Sequence, residues 1–139
     1  MAIAEDYNLE SLNILSGNLE VKLAENSLEI DAAQALRYKV FFQEMQANPS
    51  TEQIKSKRDI DEFDYYFDHI LVVDHSKSGK IYDKVVGTYR LNRGNYKDKK
   101  GFFYTSGEYD LSKLINLDAN ILELGRSCVD KRYRNGKTM

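Results

Sequence analysis

A chain of 139 residues, 42% hydrophobic and 30% charged, suits one globular domain and excludes a disordered or fibrous segment. With 20 basic against 22 acidic side chains the net charge is −2, so nothing in the overall balance draws it to a nucleic-acid backbone. The longest clean apolar stretch, Ile70 to Val73, falls far short of the roughly 20 residues that span a bilayer; Met1 to Asp6 lacks the pattern of a signal peptide, and the single Cys128 forms no internal disulfide, so the expected compartment is the cytoplasm.

In chain order, residues 1–17 read as an N-terminal extension. Asn18 to Ala24 then alternates polar and apolar side chains and predicts a half-buried strand. Ser27 or Asp31 can cap a following helix whose Ala33, Leu36, Val40 and Phe41 fall on one face, running to about Met45. Gln46 to Lys57 is polar, carries the only proline and reads as a mobile flap. His69–His75 and Lys84–Asn92, rich in β-branched and aromatic residues, predict a hairpin turning at Ser76–Gly79. Asn92–Gly101, with Arg93, Lys97, Lys99 and Lys100, reads as a solvated loop, and Asp110 as the cap of a short helix through Ile115. Ala119–Val129 predicts a last strand, after which 130–139 turns polar and basic. A mixed sheet covered by helix on one face at most would be poorly buried if its strands were parallel, which points to a missing crossover helix or a partner.

Several residues break the local pattern. Arg37 lies on the apolar helical face, where it either snorkels at the helix edge or lines a pocket. Asp59, Asp61, Glu62, Asp64 and Asp68, interleaved with Phe63, Tyr65, Tyr66 and Phe67, form either a plain acidic loop or a seat for an ammonium. Arg90 shares a strand face with Val86 and Thr88. Glu123 and Arg126 would point opposite ways in a regular strand, and a bulge at Gly125 would bring them to one side. Cys128 reads as core packing, and His69 and His75 as strand-end residues too far apart to chelate one ion; no metal site is expected.

Ala35–Phe42, Asp61–Asp64, Phe67–Asp74, Val85–Leu91, Gly101–Tyr104 and Glu123–Val129, taken in order over roughly residues 20 to 137, resemble the ornithine–acyl carrier protein N-acyltransferases of ornithine-lipid synthesis. Those enzymes are similar to the acyl-homoserine-lactone synthases, whose recurring positions fall here on Arg37 and Phe41, Asp61 and Asp64, Arg90, and Glu123 and Arg126. The resemblance implies an α/β (α+β) fold of the GNAT type, a mixed twisted sheet flanked by helices, present as a single partial domain over 1–139. The chain would then stop before the fold is complete, with 130–139 as the start of the donor-binding loop.

That loop departs from the usual pattern in having one glycine, Gly136. The implied acyl-donor contacts are Val129, Arg134, Asn135, Gly136 and Lys137, meeting the phosphopantetheine of acyl carrier protein; no bound cofactor is expected. The implied reaction places a 3-hydroxyacyl group on the α-amine of ornithine. Glu123 is the expected base, acting directly or through a water, its proton affinity raised by burial, with Arg126 steadying it or the substrate. Asp61 and Asp64 are expected to hold the ammonium, Arg37 or Arg90 the carboxylate, with Phe41 beside them. Lys131, Arg132, Arg134 and Lys137 could meet a phosphate or the acidic carrier. The resemblance also leaves room for a peripheral membrane contact and a complementary C-terminal polypeptide. The alternatives are a lactone synthase using S-adenosylmethionine, or a non-catalytic split-gene fragment that binds acyl carrier protein.

Overall fold

The computed structural model describes residues 12–94, 102–117 and 119–139. Among these, five strands form one sheet in sequence order: β1 (Asn13–Ser16), β2 (Leu19–Leu23), β3 (Asp68–Asp74), β4 (Val85–Asn92) and β5 (Glu123–Val129). Every neighbouring pair is antiparallel. The α+β class expected from the sequence is therefore present, while a parallel pair is absent from the described strands. An antiparallel sheet tolerates one open face, so a single covering helix suffices to form a core.

That helix is α1 (Ser27–Tyr38). Its cap is Asn26, one residue before the expected Ser27, and the Asn26 side chain accepts a hydrogen bond from the Glu29 N–H at 3.0 Å. Ala32, Ala33, Leu36 and Val40 pack against Leu71, Val73, Val85 and Cys128 of the sheet to make the apolar core. Past Tyr38 the helix widens into a π-helical turn, Lys39–Glu44, marked by Met45 N–H donating to Val40 O at 3.0 Å. The expected end near Met45 holds, although the last turn is not α-helical.

Residues 46–57, expected as a flap, contain α2 (Thr51–Ser56), started by a capping box between Ser50 and Gln53. The expected extension 1–17 contains β1, whose four residues are all exposed and pair with β2. The hairpin of β3 and β4 is as expected, with α3 (Ile81–Lys84) in its connection. The short helix near Asp110 is α4 (Ser112–Ile115), with Asp110 Oδ1 accepting from Ser112 N–H at 2.9 Å. The expected last strand begins later, at Glu123. Most of the expected 92–101 loop, including Lys97, Lys99 and Lys100, lies outside the described residues, as do 1–11 of the N-terminal extension.

Asn26→Ala should lower stability by about 1 kcal/mol, the usual worth of a helix N-cap. Urea unfolding checks it: the midpoint should fall with the slope unchanged.

Candidate functional site

Alternation along β3 puts His69, Leu71 and Val73 on the face beneath α1, and β4 adds Arg90 beside His69 through the register pair His69↔Arg90. One half of this covered face is apolar. The other half is ionic, because Arg37 descends from α1 into it and is 0% exposed.

A guanidinium so buried requires carboxylates, and the chain brings two. Arg37 Nε donates to Asp59 Oδ2 at 2.9 Å, and its Nη2 donates to Asp59 O at 2.5 Å and to Asp64 Oδ2 at 2.7 Å. Arg90 Nη1 donates to Asp61 Oδ1 at 2.6 Å and Asp64 Oδ1 at 2.8 Å. Gln34 Nε2 adds a further bond to Asp64 Oδ2 at 3.1 Å. Local structure places these acids. Asp61 caps the 3₁₀ turn Glu62–Tyr65 by accepting from Phe63 and Asp64 N–H, and Asp59 N–H donates to Gln34 O at 3.1 Å.

Burial alone would raise the Asp64 pKa, but the Arg37 and Arg90 guanidiniums hold it down to about 2. Burial lowers that of His69, which is kept neutral with Nε2 3.2 Å from Asp64 O. Two expectations are corrected here. Arg37 neither snorkels nor lines a pocket, being sealed behind the site, and Asp64 has its carboxylate filled by Arg37, Arg90 and Gln34, leaving it no room for a substrate ammonium. Asp59, passed over as a site residue, is the missed member. The signal was available, since a buried arginine beside a crowd of aspartates needs more than one of them.

In front of this network lies a cleft of about 410 Å³ lined by Phe41, Phe67, Arg90, Tyr104 and the β5 stretch from Glu123 to Ser127. A bulge shapes its wall. Between the pairs Thr88↔Cys128 and Arg90↔Gly125, β5 holds two residues, Arg126 and Ser127, where β4 holds Tyr89 alone. The bulge falls just after Gly125, and the left-handed residue is Arg126 itself, at φ +52°. For a residue with a Cβ that conformation costs about 1–2 kcal/mol. The guanidinium lies over the Phe41 and Tyr104 rings, each 5.6 Å from its centroid, and 3.7 Å from both Asp59 and Asp61.

Arg126 therefore turns toward the aspartates and away from Glu123, one of its two expected partners, the other being the substrate. Arg126 Nε and Asp61 Oδ2 are both buried without a hydrogen-bond partner among the described residues.

Glu123 is filled by other donors. Its Oε1 accepts from Thr105 N–H at 2.8 Å and Thr105 Oγ1 at 2.6 Å, and its Oε2 from Tyr104 N–H and Asn92 Nδ2, both at 3.1 Å. Burial pushes its pKa up, but these donors outweigh it and leave the pKa lowered, the reverse of the expected direction. The carboxylate pins the Tyr104–Gly107 turn across the mouth of the cleft. Cys128, as expected of core packing, is buried, which pushes its thiol up to about 12. His75 pairs at the surface with Glu20 at 2.5 Å.

The residues expected to meet the acyl donor lie beyond the far end of β5. Arg134 Nε donates to Val129 O at 2.9 Å and its Nη2 to Glu44 Oε2 at 2.6 Å, which ties the π-helical turn to this segment. Asn135 Oδ1 accepts from Lys137 N–H at 3.2 Å, and Gly136 takes φ +84°, a conformation suited to glycine. Among the described residues no group of three or more His, Cys, Asp or Glu is arranged to hold a metal, and no helix is long and apolar enough to cross a membrane.

Comparison with known proteins gives three kinds of result. Residues 36–139 match a family model described as an acetyltransferase (GNAT) domain. The chain is 44% identical over 124 residues to an L-ornithine N(alpha)-acyltransferase of Rhizobium meliloti (strain 1021), covering 88% of this chain and 42% of the relative. A protein of the same description from Brucella abortus (strain 2308) is 44% identical over 125 residues, 88% of this chain and 44% of its own length. Another, from Rhodobacter capsulatus, is 39% identical over 120 residues, 86% of this chain and 46% of its own length. The chain thus spans less than half the length of these relatives. No solved structure matches.

The Asp64 pairing carries a pH signature. Its folded pKa of about 2 lies below the ordinary value near 3.9, so its stabilisation is present above about pH 4 and is lost as the pH falls through about 2. Asp64→Asn should destabilise by about 3–5 kcal/mol, because it removes the charge that two buried guanidiniums share, and should flatten the acid limb of a stability-versus-pH curve.

Proposed function

Because the chain belongs to the acetyltransferase (GNAT) domain family, we propose that it supplies the amine-binding cleft of an N-acyltransferase acting on ornithine. In this reading a 3-hydroxyacyl group passes from the thioester of acyl carrier protein to the α-amine of ornithine, giving lyso-ornithine lipid and the free thiol of the carrier. The names of the relatives support the acceptor. The observation that carries the reading to particular residues is Arg126, a stacked guanidinium in the cleft whose buried Nε has no hydrogen-bond partner. A planar carboxylate is the natural complement of such a group.

Arg126, with Arg90 in the same wall, takes the ornithine carboxylate, and Phe41 and Tyr104 hold the guanidinium flat. Asp61 Oδ2, which accepts no hydrogen bond from the described residues, takes an N–H of the acceptor. Two guanidiniums beside the α-amine lower its pKa by like charge, so the neutral nucleophile forms without a strong base. The amine attacks the thioester carbonyl carbon, a C–N bond forms, the C–S bond breaks, and the departing sulfur takes the proton that the amine sheds.

The bulge at Arg126 and Ser127 leaves backbone polar groups out of the ladder where the thioester oxygen gains charge. Glu123, saturated by its donors, holds the mouth of the cleft instead of acting as base. Val129, Arg134, Asn135, Gly136 and Lys137 meet the phosphopantetheine arm, supported by two exposed cations and a left-handed glycine in one short segment. We place the reaction in the cytoplasm, with acyl carrier protein as the donor.

Calorimetric titration with ornithine tests the acceptor: one site is expected in the chain and none in Arg126→Ala. Absence of a site, or S-adenosylmethionine binding in its place, overturns the reading.

In steady-state kinetics Arg126→Lys should raise the ornithine KM by roughly 10–100-fold with a smaller change in kcat, because Lys offers no planar fork. Glu123→Gln should lower activity without moving the pH profile. Loss of about 10²–10⁴ in rate together with loss of the acidic limb would instead make Glu123 the base.

A further inference from the structure

One charge on the wall of the cleft that holds Arg126 has no counter-ion among the described residues. Behind that wall the ionic network balances, because the Arg37, Arg90 and Arg126 guanidiniums face the Asp59, Asp61 and Asp64 carboxylates, three against three, and His69 is neutral. Glu123 stands outside the balance. Its oxygens accept from Thr105 N–H, Thr105 Oγ1, Tyr104 N–H and Asn92 Nδ2, all of them uncharged donors. With its pKa lowered by these bonds, the carboxylate is ionised near neutral pH.

Neutral donors fix a carboxylate in place but leave its charge uncompensated. Asp64 differs in charge and not in occupancy: two guanidiniums cancel its charge, and no described residue cancels that of Glu123. The sheet register sets the distance from this anion to the cations. Glu123 pairs with Asn92 and Gly125 with Arg90, so Glu123 shares a face with Arg90 two positions along, about 7 Å away at the ordinary strand rise. The cleft is thus positive at Arg90 and Arg126 and negative at Glu123.

We propose that Glu123 is the specificity-determining residue for the acceptor, attracting the δ-ammonium of ornithine while Arg126 and Arg90 take its carboxylate. The inference rests on the acceptor reading above and narrows it to a substrate class, the dibasic amino acids. Length and charge both fit. The carboxylate carbon and δ-nitrogen of ornithine are five bonds apart, about 6 Å when extended, close to the spacing of two strand positions. An acceptor that arrives with one carboxylate and two ammonium groups also carries the single positive charge that the cleft lacks. Because the Glu123 oxygens are filled, the attraction acts through space between opposite charges and needs no free lone pair, so it selects the acceptor without a part in proton transfer. The α-amine stays beside Asp61 Oδ2, which lies 3.7 Å from Arg126 Nη2.

The test compares ornithine with norvaline by calorimetric titration, norvaline having the same carbon chain and α-amine but ending in a methyl group where ornithine carries its ammonium. The unaltered chain should bind ornithine roughly tenfold or more tightly than norvaline. Glu123→Gln should bring that ratio close to one, and Glu123→Asp, which keeps the charge, should retain a preference. Loosening of the Tyr104 turn would weaken both ligands alike and leave the ratio alone. A ratio unchanged in Glu123→Gln, or lost as fully in Glu123→Asp, therefore overturns this inference and leaves Glu123 a brace for the turn. Equal binding of the two ligands by the unaltered chain overturns it without any variant and leaves the acceptor reading standing for α-amino acids at large, whereas failure to bind either removes the acceptor reading and this inference together.

Discussion

A fully buried arginine dictates how this half of the molecule is built. Arg37 sits between α1 and the sheet, where an unpaired guanidinium would cost several kcal/mol, so Asp59 and Asp64 must be drawn up against the helix. That requirement fixes the 59–65 segment, and the segment fixes the aromatic side chains it carries. Phe63 stacks on Phe102 with centroids 4.6 Å apart and meets Tyr104 edge-on at 5.2 Å. Tyr104 in turn flanks Arg126, and Glu123 holds the turn that bears it. A helix, a loop, a turn and a bulged strand thus converge on one cleft around a desolvated ionic network.

The covered face of the sheet divides accordingly. Its apolar half supplies cohesion from Leu71, Val73, Val85 and Cys128, and its ionic half supplies position, since hydrogen-bonded guanidiniums tolerate little displacement. A second cleft, lined by Leu36, Lys39, Val85 and Asp130 among others, lies at the opposite end of the sheet from the first. The π-helical turn bridges them: Phe41 lines one, Lys39 lines the other, and Glu44 reaches Arg134. The two ends are therefore mechanically connected through Lys39–Glu44 as well as through β5.

Much of the frame was legible in the sequence because it follows from periodicity. The alternation in β2, the β-branched runs of β3 and β4, and the apolar stripe of α1 each encode a face. β1 escaped because its four residues are all exposed and leave no buried face to read. α2 buries none of its residues and so offers no apolar stripe to read, its signal being the Ser50 and Gln53 capping box. In the site, Arg37 announced itself as a charge on an apolar stripe, and the convergence of Phe41, Arg90, Glu123 and Arg126 on one cleft follows the resemblance. The direction of the Glu123 pKa could not be read, because it depends on Thr105, Tyr104 and Asn92, brought from 18, 19 and 31 residues away. The bulge was foreseen, but glycine, the residue best suited to the left-handed conformation, stands one position before the residue that adopts it.

The π-helical turn works as a phase shifter. An i to i+5 bond inserts one residue relative to an α-helix, which rotates whatever follows by about 100°. Met45 N–H reaches back to Val40 O, so Phe41 can face the cleft that holds Arg126 while Glu44 is aimed at Arg134. A polypeptide one residue shorter between Lys39 and Glu44 would wind as a plain α-helix and turn one of these two side chains away from its station. The length of this stretch, more than the identity of its residues, is thus the quantity that keeps the two ends of the molecule in register.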